Sequence, residues 1–174
     1  PWHWRILLPL SAALEVIAFL IFFQAVASHR PSGNASKPWE SWIFVVIAAT
    51  LGLLASLALN LGASIQLALH ASSPAFPHEF DERYLIVSTW GFLVPMVWGF
   101  SSRWLTVFMG LKPLRGSWLL VAAALNTAGV VAGFLERFTA AGVLLLGGAA
   151  TAVIAIRFFE PAVNAAKTIN VHVS

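Results

Sequence analysis

The chain has 174 residues, of which 59% are hydrophobic and 10% charged, with mean hydropathy +0.84. A soluble domain carries about 25% charged residues, so this chain lacks the polar surface to fold in water and reads as an integral membrane protein. Its formal charge of +3 comes from scattered cations, which argues against a nucleic-acid partner, and the absence of cysteine excludes disulfides, thiolate metal sites and cysteine nucleophiles.

The expected fold is all-α, a polytopic bundle of about five transmembrane helices in one domain over residues 1–174. No segment resembles a signal peptide. Pro1 stands where a start methionine would, so the chain is expected to have lost its amino terminus or to be one piece of a longer protein. The first span, Ile6–Ala27, has roughly the 20 apolar residues needed to cross a bilayer. Trp2 and Trp4 sit at its interfacial edge, and Glu15 lies well inside it. The polar stretch His29–Glu40 is a loop by composition and contains the sequon-like triplet Asn34-Ala35-Ser36.

The second span, Trp42–His70, carries Ser56, Asn60, Ser64, Gln66 and His70 within less than half of the helix circumference. That arc should face protein or water. Residues 71–83, rich in proline and acid, read as a loop. The third span, Tyr84–Gly110, repeats Trp-Gly-Phe on either side of Pro95, which should interrupt the helix. Ser88, Gly91, Pro95, Gly99 and Ser102 form a stripe of small residues along it. The fourth span, Ser117–Leu135, holds Asn126 and the pair Gly129 and Gly133. The fifth, Thr139–Phe159, ends at Pro161 and lines up Gly148 with Ala152, and Gly147 with Thr151 and Ala155. These small-residue faces of helices three, four and five are expected to meet other membrane subunits, the remaining surface meeting lipid.

Five crossings place Arg5, Arg83 and Arg137 on one side, and Arg30, Lys37, Arg103, Lys112, Arg115, Arg157 and Lys167 on the other. The excess of Lys and Arg on the second side puts the carboxyl terminus in the cytoplasm. The expected location is the bacterial inner membrane.

Few residues carry chemistry. Glu15 is an ionisable group inside a span, which suits a proton relay, a counter-ion or a ligand, or else a protonated acid bonded to Asn60 or Asn126. Imidazoles can ligate haem iron, copper or zinc. His70 is the best placed, at the end of the polar arc, and His78 and His3 share its side. Arg103 suits an anion or propionate contact, or headgroup snorkelling, and Asn60 completes the cofactor-side set. No phosphate loop, dinucleotide fingerprint, hydrolase elbow or zinc-protease helix is present, so a self-contained enzyme is not expected.

The run WGFLVPMVWGFSSRWLTVFMGLKP, with Arg103 and the ending Val107-Phe108-Met109-Gly110-Leu111, resembles the NnrS family of many-spanning haem- and copper-containing membrane proteins. The likeness covers about a third of the chain. It implies a haem- or metal-binding membrane protein, or part of one, in redox or nitric-oxide chemistry, with haem as the cofactor. Two other readings stay open: an accessory subunit of an electron-transfer or photosynthetic complex, and a transporter.

Overall fold

The computed structural model describes residues 3–28 and 39–160. Trp2, the triplet at Asn34, His29, Pro161, Lys167 and His172 lie outside them. The described residues form an all-helical bundle: α1 (Trp4–Ser28), α2 (Ser41–His70), α3 (His78–Ile86), a π-helical segment (Val87–Leu93), α4 (Val94–Phe108), α5 (Gly116–Phe134) and α6 (Phe138–Ile156). α3, the π segment and α4 run on as one span, His78–Phe108, so five helices are long and apolar enough to cross a membrane. This is a multi-pass membrane protein.

The third span begins six residues before Tyr84, inside the stretch read as a loop. Pro77 stops the preceding chain at an extended N-cap, and Glu79 and Asp81 stand in the first helical turn. Acids there complement the positive end of the helix dipole and favour helix over loop. Each of the other spans lies within a few residues of its sequence limits. The largest difference is at α6, which ends at Ile156 because Arg157 takes the left-handed conformation (φ 59°).

α5 and α6 form the most extensive pair. α2 is central and packs on α1, on the π segment with α4, and on α5. The close approaches run through glycine. A Cβ on Gly129 would come within 2.7 Å of Leu145, and one on Gly148 within 3.1 Å of the Ala122 carbonyl oxygen. A Cβ on Gly99 would come within 2.6 Å of Val46, and one on Gly52 would overlap the Gly91 carbonyl. The small-residue stripes therefore act inside the chain, where Pro95, Gly99, Ser102, Gly129, Gly133, Gly148, Ala152 and Ala155 are buried. Gly142 and Gly147 alone of the α6 glycines look onto open space.

Tertiary bonds fix which helix ends lie together. The Arg5 guanidinium donates to the Ala71 carbonyl at 3.1 Å and Arg83 pairs with Glu136, which gathers one end of the bundle around His70. At the other end Ser41 abuts Gly116, and the Arg115 N–H donates to the Ala155 carbonyl at 3.1 Å. We call these the His70 end and the Glu160 end.

Candidate functional site

The π segment and Pro95 together leave one carbonyl short of a donor. In its five-residue register the Val94 N–H donates to the Thr89 carbonyl. The next bond would run to the Trp90 carbonyl from residue 95, and residue 95 is proline, which has no N–H. Asn126 on α5 supplies the missing donor, its Nδ2 lying 2.6 Å from the Trp90 oxygen. Asn126 is 2% exposed, and its Oδ1 is buried with no partner among the described residues. It lies at the base of a cleft of about 680 Å³ between α2, the π segment and α5, whose other walls are almost wholly apolar, among them Gly52, Ala55, Val130 and Phe134. The volume suits a small ligand or a lipid chain.

Glu15 and Asn60 meet. Glu15 lies eleven residues into α1 and Asn60 ten residues from the end of the antiparallel α2, so both sit about 15 Å from the His70 end. Asn60 Nδ2 donates to Glu15 Oε2 at 3.2 Å. Glu15 nonetheless remains exposed on the flank of the bundle, while Asn60 is half-buried. The polar arc of α2 is split in depth: Ser56 and Ser64 are buried and Gln66 and His70 exposed.

His70 borders a smaller cleft of about 300 Å³ with Gln66, Leu67, Pro77 and Phe80. Its Nδ1 lies 3.3 Å from the Gln66 carbonyl, so in the tautomer protonated there Nε2 keeps a free lone pair. His78 Nε2 lies 3.2 Å from Glu82 on an exposed face of α3, and His3 is exposed just ahead of α1. The three histidines thus share one end, yet among the described residues no group of three or more His, Asp or Glu side chains could hold a metal ion. Arg103 lies at the opposite end, 3.4 Å from Glu40 and over the Trp42 ring at 5.9 Å. The four cofactor-side candidates therefore do not converge on one site: Glu15 and Asn60 pair at mid-depth, and His70 and Arg103 face opposite ends.

No family model, curated protein or solved structure matches the chain.

Two features escaped sequence reasoning. The Trp90 carbonyl carried no signal of its own, because Pro95 leaves it short of a donor only in the five-residue register of the π segment, whereas an unbroken α-helix would leave Gly91 short instead. Glu160 is the second, since nothing in its sequence neighbourhood shows that the fold gathers Lys112, Arg115 and Arg157 around it.

Proposed function

We propose that this chain is a non-catalytic, membrane-embedded subunit or segment of a larger membrane assembly, with its carboxyl side in the cytoplasm. One observation carries the reading: Glu15 is exposed near the middle of α1 and, among the described residues, has a single donor, from Asn60. An ionisable side chain at the centre of a bilayer costs about 2.5–3.5 kcal/mol on insertion scales. One neutral amide offsets only part of that. A further helix carrying a donor removes the cost by covering the flank formed by Ser11, Glu15, Ala18 and Phe22.

A photocrosslinker placed at Ser11 or Ala18 in native membranes tests this. Crosslinks to one defined polypeptide are expected there and not at Ile17 on the opposite flank. Glu15→Gln should preserve them and Glu15→Leu should abolish them. Equal yields from both flanks, or yields indifferent to Glu15→Leu, would sink the proposal.

A second reading keeps the NnrS-like expectation, with His70 as an axial haem ligand in the bacterial inner membrane. It is supported by the Nδ1 contact with Gln66, since a backbone carbonyl bonded to one ring nitrogen orients the other for a metal. An absorption spectrum before and after dithionite decides it. A Soret band that shifts on reduction and is lost in His70→Ala supports it, and a spectrum of tryptophan alone refutes it.

A further inference from the structure

The Glu160 end holds a cluster that the subunit reading does not use. Lys112 and Arg115 come from the link between α4 and α5, and Arg157 caps α6. Lys112 Nζ lies 3.1 Å, Arg115 Nη2 3.3 Å and Arg157 Nη2 2.6 Å from the Glu160 carboxylate. Three cations share one anion, so two positive charges are in excess. Glu160 stays ionised throughout the physiological range, since hydrogen bonds from Arg157 and Lys112 lower its pKa to about 2. It therefore holds together cations that would otherwise repel one another.

The backbone holds the cluster in place. The Arg115 N–H is bonded to Ala155, and Arg157 also donates to the Pro113 carbonyl at 3.5 Å. Arg157 Nε is buried without a partner among the described residues, while Lys112 and Arg115 are 33% and 43% exposed. Trp104 on α4, Trp118 on α5 and Phe158 just past the end of α6 are exposed here, forming the aromatic fringe found at headgroup depth.

We propose that Lys112, Arg115 and Arg157 form a binding site for a phosphate group at the membrane surface. The phosphate is either the phosphodiester of an anionic lipid headgroup or free phosphate. Two guanidinium forks and an ammonium provide the geometry and the charge that phosphate oxygens take, and basic pockets between membrane helices bind anionic headgroups in this way. The site is independent of Glu15, so its failure would leave the subunit reading untouched.

The test is native mass spectrometry of the full chain, from micelles containing equal phosphatidylglycerol and phosphatidylcholine, with and without millimolar inorganic phosphate. Phosphatidylglycerol should be retained preferentially. Lys112→Gln with Arg115→Gln should weaken its retention roughly 25-fold, about fivefold per cation removed. Lys112→Arg with Arg115→Lys should keep it, and unchanged circular dichroism would show that both variants fold. Persistence in the presence of phosphate assigns the site to lipid, and displacement assigns it to the free anion. Equal retention of the two lipids without any phosphate adduct, or a preference unchanged in the double glutamine variant, overturns the proposal.

Discussion

Replacing Asn126 with leucine removes the donor that serves the Trp90 carbonyl. The bond is short, at 2.6 Å, and Asn126 is 2% exposed. A buried carbonyl left without a partner costs about 1–3 kcal/mol, although hydrogen bonds between membrane helices average nearer 0.6. Leucine also removes the Oδ1 that has no partner, which returns part of the loss. The net destabilisation expected is about 1 kcal/mol. The informative measurement is the cycle with Pro95→Ala. Alanine at 95 restores an N–H in the five-residue register, and a return to the α register would give Trp90 the Val94 N–H instead. Either way the carbonyl acquires a donor, and Asn126→Leu should then cost close to nothing. SDS-driven unfolding in mixed micelles, followed by circular dichroism, gives the four free energies. A coupling of about 1 kcal/mol is expected, and costs that add to within about 0.3 kcal/mol would refute the account of the π segment.

Gly52→Ala places a methyl group on the Gly91 carbonyl and should destabilise the same transition by about 1–3 kcal/mol. Gly62→Ala, on the same helix but facing open space, should be neutral or slightly stabilising. The Glu160 carboxylate is held below its usual range, so its contribution is full above about pH 4.5 and fades as the pH falls towards 2. Unfolding midpoints measured across that window should drop in the parent chain and flatten in Glu160→Gln. Lys112→Gln should shrink the same acid limb, because its ammonium is one of the two bonded groups that lower the Glu160 pKa.

Much of the fold was legible in the sequence because apolar length alone sets a membrane span. The stripe through Pro95, Gly99 and Ser102 was legible too, since small residues at helical spacing allow close packing whichever helix lies opposite. What periodicity could not supply was the partner. The Gly129 and Gly133 pair, read as a surface for other subunits, packs on Leu145, Ile86 and Ala141 of the same chain. The polar arc on α2 gave a direction but no depth, so buried Ser64 and exposed Gln66 looked alike. Of the candidate site, the bond between Glu15 and Asn60 was among the readings offered. The donation from Asn126 to Trp90 spans 36 residues and depends on a register that no local pattern announces.

That register also sets which way the far half of the third span faces. Val87 and Gly99 are both buried yet stand twelve residues apart, which in an unbroken α-helix would set them about 120° apart around the axis. The π turn absorbs one residue, about 100° of rotation, and brings the two into line. Without it Trp98 rather than Gly99 would point at Val46, and a large ring would occupy a place where a single Cβ would already come within 2.6 Å of a Val46 methyl group. The π turn is in effect a phase correction, and the fit of the Glu160 half of the bundle depends on the amide of a single asparagine on a different helix.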